Sequence, residues 1–318
     1  MFKYNIVNIF VLSLILISVL SSAAVEDIES PYRSWVYQLQ NASPDELSKL
    51  NVDVVVIDYS YNGSESGRYS KEQIKRIKKN GSIVLAYINI GQAEDYRFYW
   101  RKSWNESPPD WIISEDPEWG ENYYIKYWKQ SWKEIIFSYI DKIFEEGFDG
   151  VYLDRIDAFE YVANIGILSE KRAAERMIDF IIKISNYIKN KKGNSIIVLQ
   201  NGEEILKYDD GKLLEKIDGW AVESLFYSYE CQKLNPEGFI EEREKYLRIA
   251  QNNGKFILDV EYIDDGKDSE ETKNRIRELI NLCRIKRYIP YVYFCNRKLE
   301  KINYRFFQIY SSLELKNN

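Results

Sequence analysis

Carboxylates stand at the ends of several short apolar runs, among them Asp58, Asp154, Glu223 and Glu261, and a pair of such acids could act together on a glycosidic bond. Asp154 ends the run in "GFDGVYLDRID", residues 147–157, and Glu223 lies near the end of "GWAVES", residues 219–224. A pair of acids can cleave such a bond when one attacks the sugar or activates water and the other protonates the leaving oxygen. Amides and further acids at the ends of other runs would bind the sugar hydroxyls.

The composition excludes several other kinds of chemistry. The chain has 318 residues and no histidine, which excludes Ser-His-Asp and Cys-His catalysis and the usual zinc sites that contain His. Its net charge of −6 gives no electrostatic support for nucleic-acid binding. A metal-dependent hydrolase, with a divalent ion held by oxygen atoms alone, is the alternative to a glycosidase. Metal catalysis on phosphates would need Lys or Arg side chains to bind the negative charge of the substrate, and only Arg155 lies near these acids. We therefore favour the glycosidase and expect neither a cofactor nor a metal.

Eight apolar runs alternate with helical patterns along the chain. Near-continuous hydrophobic strands that alternate with helices predict a parallel sheet covered on both faces. Eight such units in about 250 residues are typical of a (β/α)8 TIM barrel. An open doubly wound sheet is the alternative, but no Gly-rich phosphate loop follows the first run. The predicted strands are residues 35–40, 54–59, 83–90, 150–154, 195–200, 219–224, 255–262 and 290–295.

One connection is much longer than the few residues usual between a strand and its helix. It runs from Gly91 to Tyr124, after the third strand, and is rich in aromatic residues. Two interpretations stay open: the rings form a local hydrophobic cluster, or some of them are platforms on which sugar rings pack. The aromatic residues are Tyr96, Phe98, Tyr99, Trp100, Trp104, Trp111, Trp119, Tyr123 and Tyr124.

Four motifs carry a resemblance to a known family. Together, "GFDGVYLDRID", "VVVIDYS", "VLAYINIGQAEDYR" and "WAVESLF" resemble the endo-alpha-1,4-polygalactosaminidase family, glycoside hydrolase family 114, and its uncharacterised prokaryotic relatives, over most of residues 33–310. The resemblance implies a (β/α)8 barrel that cleaves alpha-linked, galactosamine-containing polymers by a retaining mechanism. It also implies Asp154 as nucleophile and Glu223 as general acid/base. A carbohydrate-binding barrel without catalysis is the alternative from another functional class.

The local sequence suggests how these two acids are tuned. Arg155 beside Asp154 would keep that carboxylate ionised if the guanidinium points inward. The apolar "GWAV" before Glu223 would favour its protonated form, as a proton donor needs. These expectations agree with the two roles that the resemblance implies.

Further side chains are expected to bind the substrate. Asp58 is the candidate for the ammonium group of an unacetylated amino sugar, through a charge-assisted hydrogen bond. Asp157 either lines the site or caps the next segment. At the seventh strand we expect Asp259 and Glu261 to alternate, so that only one of them faces the barrel interior, and we select Glu261 because it lies nearer the carboxyl end. The remaining candidates, chosen by position, are Tyr87, Asn89 and Gln200.

The first 24 residues predict export from the cytoplasm. Lys3 supplies a positive charge, residues 6–20 form an apolar run, and residues 22–24 are small enough for signal cleavage. An uncleaved membrane anchor through residues 6–20 is the alternative. Either way we expect residues 25–318 to form one secreted or cell-surface domain, a monomer that binds a polysaccharide.

Three cysteines leave the disulfide state open. Cys231, Cys283 and Cys295 match no metal-binding spacing. Cys283 and Cys295 could form one bridge, and burial of all three as small free thiols is the alternative.

Overall fold

The computed structural model describes residues 30–315, which fold around a parallel sheet. Residues 1–24, in which the signal or anchor is predicted, lie outside the described part. Among residues 30–315 no helix is long and apolar enough to cross a membrane. The strands of this part of the chain are β1 (Trp35–Gln38), β2 (Val54–Asp58), β3 (Ile83–Asn89), β4 (Gln92–Glu94), β5 (Ile112–Glu115), β6 (Asn122–Ile125), β7 (Gly150–Asp154), β8 (Ile196–Gln200), β9 (Gly219–Glu223), β10 (Phe256–Asp264) and β11 (Tyr288–Phe294).

Eight of these strands form the barrel predicted from the sequence. They pair in parallel in the order β1-β2-β3-β7-β8-β9-β10-β11. The first and last strands meet where Trp35 Nε1 of β1 donates to the Ile289 carbonyl of β11 at 2.9 Å, so the barrel is nearly closed. All eight predicted strands are present, with ends that differ by one or two residues.

Helices cover the outside of the barrel. A capping box begins α2, where Ser70 Oγ accepts from Gln73 N and Ser70 N donates to Gln73 Oε1 at 2.7 Å. Between β8 and β9 the chain forms two short 3-10 turns, Glu203–Tyr208 and Leu214–Lys216, in place of a long helix. The α-helices of the described residues are α1 (Pro44–Leu47), α2 (Lys71–Ile77), α3 (Gln130–Glu145), α4 (Ala158–Asn164), α5 (Glu170–Lys191), α6 (Glu237–Asn252), α7 (Glu270–Lys286) and α8 (Tyr304–Glu314).

The apolar core has two parts, one inside the barrel and one between the sheet and the helices. Inside, the Tyr37 ring lies 5.8 Å from Trp35 and 5.3 Å from Tyr152. Outside, α5 buries one side of the helix, including Ile181 and Ile184, against neighbouring elements. The strands are hydrophobic on both faces because both faces are covered.

The long connection after β3 forms a second, small sheet. Its strands pair antiparallel in the order β4-β6-β5. Trp104 contacts Trp100 and Trp111, with ring centroids 5.3 and 5.2 Å apart. Most of the aromatic residues therefore form the hydrophobic cluster of the first interpretation. Tyr96 and Trp119 differ, because both are exposed and line the cleft described below.

This connection passes directly against the segment that follows β7. A Cβ atom at Gly91 would lie 2.0 Å from the Arg155 carbonyl oxygen, so only glycine fits there. Asn89 Oδ1 accepts a hydrogen bond from Gln92 N at 2.8 Å and fixes the turn. The turn leads the small sheet over the carboxyl ends of the barrel strands.

Candidate active site

Asp154 and Glu223 line one cleft at the carboxyl ends of the barrel strands. Asp154 is the last residue of β7 and Glu223 is the last of β9. The cleft has a volume of about 800 Å³. In (β/α)8-barrel enzymes this end of the barrel carries the catalytic groups, because the loops after the strands converge there. The two carboxyl groups interact, since the charge of Glu223 raises the pKa of Asp154.

The Asp154 carboxyl group is held by two hydrogen bonds. Tyr87 Oη donates to Oδ2 at 2.7 Å, and the Arg155 backbone N donates to Oδ1 at 2.7 Å. Burial and then the charge of Glu223 raise the pKa of Asp154 to about 7, although the Tyr87 bond and the Arg155 charge act in the opposite direction. The expectation of an ionised Asp154 depends on a guanidinium that points inward, and with a pKa of about 7 the carboxyl group is only partly ionised around neutral pH.

Arg155 fails to keep Asp154 ionised because its guanidinium is bound elsewhere. Its Nη2 donates to Tyr124 Oη at 2.9 Å and lies 3.4 Å from Asp116 Oδ2, both in the small sheet region. Its Nε lies 3.8 Å from Asp157 Oδ1. Asp157 makes no capping bond to α4 and lines the cleft, as the first of its two interpretations predicts.

Glu223 has polar neighbours rather than the apolar surroundings expected from "GWAV". Tyr262 Oη donates to its Oε1, and Asn201 Nδ2 donates to its Oε2 at 3.4 Å. The Glu223 backbone N donates to Asn201 Oδ1 at 2.9 Å. Side chains alternate along a strand, so Trp220 and Val222 are buried away from the cleft.

Asp58 lines the cleft and is paired with a cation from the long connection. Arg97 Nη2 lies 2.7 Å from Asp58 Oδ2, and Arg97 Nη1 donates to Oδ1 at 2.9 Å. Glu94 Oε2 accepts from Arg97 Nε at 2.7 Å, so two acids share one arginine, and all three are buried. Burial raises the pKa of Asp58, and the Arg97 charge opposes that shift. The contact of Asp58 with a substrate ammonium group stays a prediction.

Two of the candidates chosen by position line the cleft and one does not. Tyr87 and Asn89, both in β3, are lining residues. Gln200 lies deeper inside the barrel and is fully buried. Its Oε1 accepts a hydrogen bond from Tyr152 Oη. Gln200 therefore packs inside the barrel and is not part of the cleft surface, which differs from its selection as a substrate-binding residue.

Glu261 lies on the outer face of β10, which differs from the expectation. Its carboxylate accepts from the backbone N atoms of Phe226 and Tyr227 at 2.6 and 3.2 Å and is fully buried. Residues two apart in a strand point the same way, so Asp259 also points outward and accepts from Cys283 Sγ at 3.3 Å. Both acids therefore lie on the face that does not reach the cleft, so the expectation that one of them faces the barrel interior is wrong.

Three strands of the site end in an unusual backbone conformation. Arg155, Asn201 and Ser224 directly follow β7, β8 and β9 and have φ values of 60°, 53° and 51°. This left-handed region costs a residue other than glycine about 1 kcal/mol or more. Such conformations are concentrated at functional sites, where the surrounding structure maintains them.

The sequence relationship that decides the family covers nearly the whole barrel. Residues 19–302 match the family model described as glycoside-hydrolase family GH114. The chain belongs to this family. Membership supports a glycoside hydrolase, in agreement with the resemblance seen in the four motifs.

Two prokaryotic relatives of this GH114 chain are uncharacterised proteins. One, from Thermotoga maritima, is 46% identical over 302 residues, which cover 94% of this chain and 92% of the relative. The other, from Methanocaldococcus jannaschii, is 51% identical over 271 residues, which cover 85% of this chain and 78% of the relative.

Two solved structures share the fold of the GH114 chain at 16% sequence identity. The glycoside hydrolase domain of PelA from Pseudomonas aeruginosa superposes with a TM-score of 0.65, covering 85% of this chain and 96% of that domain. Ega3 of Aspergillus fumigatus, solved in complex with galactosamine, has a TM-score of 0.62 and covers 88% and 98%. These similarities show the fold.

A disulfide joins two loops at the rim of the GH114 cleft. Cys231 after β9 is bonded to Cys295 after β11. Both alternatives left open by the sequence are wrong, because Cys283 is a buried free thiol and the other two cysteines are bonded to each other. Tyr229 and Arg297, each two residues from a bridged cysteine, both line the cleft, and the guanidinium lies 4.3 Å from the ring centroid. The bridge therefore joins the loops that carry this contact.

Sequence reasoning missed several residues that line the GH114 cleft. Tyr262 lies on the same face of β10 as Val260 and on the opposite face from Glu261, so the strand pattern could have identified it. Asn201 directly follows a predicted strand and could also have been selected. Nothing in the sequence around Arg97 indicates that it lines the cleft, because its partner Asp58 is 39 residues away.

The GH114 cleft carries an excess of acidic side chains. Seven acids and four bases line it, and two of the bases, Arg97 and Arg155, are already paired with acids. Such an excess attracts cationic ligands. Within residues 30–315 no three His, Cys, Asp or Glu side chains are grouped as a metal site needs. The lining acids are Asp58, Glu94, Glu118, Glu121, Asp154, Asp157 and Glu223.

Proposed function

We propose that this chain is an exported enzyme that cleaves an alpha-linked, galactosamine-containing polysaccharide with Asp154 and Glu223 as its catalytic pair. The supporting observation is the placement of both carboxyl groups in one cleft, close enough for the charge of Glu223 to raise the pKa of Asp154. Hydrolysis of a glycosidic bond needs two such groups.

The proposed mechanism is retaining and proceeds in two steps. Asp154 attacks the anomeric carbon and forms a covalent ester, while the bond to the leaving oxygen breaks and that oxygen takes the Glu223 proton. In the second step water gives a proton to Glu223 and its hydroxyl to the anomeric carbon, which releases Asp154. The hydrogen bond from Tyr87 Oη to Asp154 Oδ2 would orient the attacking carboxylate.

An amino sugar is the substrate class that the charge of the cleft favours. Seven acids against four bases make the lining attractive to ammonium groups. Asp58, Glu94 and the shared Arg97 together keep one negative charge at one side of the cleft when both acids are ionised. The bound galactosamine of the similar Ega3 structure supports the same class.

Export is proposed from two independent features. Residues 1–24 have the pattern of a signal peptide. The Cys231–Cys295 disulfide is typical of proteins in oxidising compartments. Expression of the full chain with a C-terminal tag tests the proposal, because secretion predicts tagged protein outside the cytoplasm, and recovery only in the cytosol contradicts it.

The decisive experiment is a product screen with matched variants. Purified protein is incubated with acetylated and deacetylated alpha-linked hexosamine polymers, and the products are identified by mass. We expect Asp154→Asn and Glu223→Gln each to lower turnover by at least about 100-fold. Asp45→Asn and Glu145→Gln, which change exposed acids outside the cleft, are the controls and should retain activity.

The same screen separates the alternatives. Proton NMR of the first product gives its anomeric configuration, and an inverted product would reject the retaining mechanism. Loss of activity with a strong chelator, restored by a divalent cation, would indicate the metal-dependent hydrolase. Tight binding of oligosaccharides by wild-type protein, with no cleavage of any polymer, would indicate the carbohydrate-binding barrel.

A further inference from the structure

Arg243 connects the outer helical layer to the residues that hold Glu223. It lies in α6, is largely buried, and reaches the carboxyl ends of β8 and β9. Its Nη1 donates to the Glu223 backbone carbonyl at 3.1 Å, and its Nη2 donates to Asn201 Oδ1 at 3.2 Å. One guanidinium therefore contacts the main chain of Glu223 and the side chain that hydrogen-bonds to its carboxylate.

The orientation of the Asn201 amide depends on these contacts. Its Oδ1 accepts from two donors, Arg243 Nη2 and the Glu223 backbone N. Its Nδ2 is then directed at Glu223 Oε2 and donates to it at 3.4 Å. In the flipped orientation the NH₂ group would face two donors, and the amide oxygen would face the carboxylate, so all three of these hydrogen bonds would be lost.

The Arg243 guanidinium is itself fixed by a buried acid. Glu203, which is fully buried, accepts from Arg243 Nε and from Nη2, the latter at 3.2 Å. A bidentate contact between planar groups restricts both distance and angle. The charge of Arg243 is thereby matched within the protein, and its remaining donors point towards Asn201 and Glu223.

We propose that Arg243 is a positioning residue for Glu223, acting through the Asn201 amide and the Glu223 backbone carbonyl. The inference rests on the proposed function, in which Glu223 is the acid/base. Arg243 does not line the cleft, so its effect on the reaction is indirect. Fixing a proton donor in its productive geometry lowers the barrier of the chemical step. Substrate binding depends instead on the residues that line the cleft.

The test is a separation of kcat from KM in the variant Arg243→Lys. Lysine keeps the positive charge next to Glu203 but loses the fork that contacts three acceptors. We expect kcat to fall about 10- to 100-fold while KM changes less than about twofold, because a shift of about 1 Å in a catalytic group has an effect of that order. Arg248→Lys in the same helix is the matched control, since that side chain is 58% exposed and outside the cleft.

A double-mutant cycle tests the route of the effect. Asn201→Ala removes the amide that relays the contact, and Arg243→Lys should then lower kcat much less than it does in the wild-type background. Full additivity of the two changes would reject action through Asn201. If Arg243→Lys does not fold, Asn201→Ala alone decides: it must lower kcat at constant KM, and a normal kcat overturns the inference.

The outcomes also distinguish this inference from the proposed function. A wild-type protein that cleaves no polymer contradicts the proposed function itself. If the wild type cleaves polymer, two results for Arg243→Lys contradict only the positioning role. One is a normal kcat, and the other is a change in KM alone.

Discussion

Tyr87 in β3 donates its hydroxyl hydrogen to Asp154 Oδ2 at 2.7 Å from the neighbouring strand of the barrel. This bond opposes burial and the charge of Glu223, which together raise the pKa of Asp154 to about 7. A single neighbouring hydroxyl thus influences the pH at which Asp154 can act as a nucleophile.

The first prediction concerns the pH dependence of the wild-type protein. A nucleophilic Asp154 must be ionised, so kcat/KM should rise with pH through about 7. The measurement is the initial rate of polymer cleavage at low substrate concentration between pH 5 and pH 9. If the rate instead falls as pH rises through 7, ionisation of Asp154 does not limit cleavage and this prediction is wrong.

Tyr87→Phe should move the rise of kcat/KM with pH to higher pH. The substitution removes a donor that favours the ionised form of Asp154, so less of the carboxylate is ionised at pH 7. We expect a decrease of several-fold in kcat/KM at pH 7 and partial recovery at pH 8.5. Tyr304→Phe, which changes an exposed tyrosine outside the cleft, is the control and should leave the profile unchanged.

Asp154→Asn should stabilise the fold at high pH. The folded-state pKa of about 7 lies above the usual value for Asp, so the folded protein retains a proton that the unfolded chain releases above about pH 4. Stability linked to this group is present below pH 4 and is lost as pH rises towards 7. Asparagine cannot ionise, so we expect the variant to gain on the order of 1–3 kcal/mol at pH 8 and nearly nothing at pH 4.

Urea unfolding at the two pH values measures this difference. Asp45→Asn, which alters an exposed acid in a surface pair, serves as the control. Equal effects of Asp154→Asn at pH 4 and pH 8 would show that the group titrates normally in the folded protein.

Asp58→Asn should affect both stability and substrate preference. The change leaves the buried Arg97 with Glu94 as its remaining acid partner, so we expect a loss of about 1–3 kcal/mol, below that for an entirely unpaired buried charge. If Asp58 also contacts a substrate ammonium group, cleavage of deacetylated polymer should fall more than that of acetylated polymer. Equal losses on the two polymers would leave Asp58 with only its role in holding Arg97.

Removal of the Cys231–Cys295 bridge should destabilise the protein and weaken substrate binding. A loop of this length, with a sequence separation of 64, is expected to contribute about 2–4 kcal/mol. The Cys231→Ser, Cys295→Ser double variant should have a lower Tm and a higher KM, because Tyr229 and Arg297 lie on the released loops. A reductant should lower the Tm of the wild type and not that of the double variant; an equal effect on both contradicts the assignment.

Local patterns predicted the elements well because they depend on neighbours in the chain. The eight barrel strands follow from hydrophobic runs that are local in the sequence. Asp154, Glu223 and Asp58 were found because they end such strands, and strand ends of one direction meet at one edge of a barrel. The fold and the position of the cleft could therefore be predicted.

Contacts between distant segments could not be predicted in this way. Arg97 pairs with Asp58 across 39 residues, and Arg155 turns to Asp116 rather than to the adjacent Asp154. Glu261 was misplaced because the face of β10 that enters the barrel is decided by the register of the sheet, which brings Tyr262 inward.

The sequence by itself determined the barrel and the acids at its mouth, since both are set by hydrophobic periodicity and by the order of strands, and the choice of Asp154 and Glu223 among those acids came from the family resemblance. Only the tertiary structure decided the electrostatics of that pair. The pKa of Asp154 depends on its burial and on Glu223, and the hydrogen bonds of Glu223 depend on Asn201 and Tyr262. These effects act through space over a few ångströms, between residues that the chain order keeps far apart.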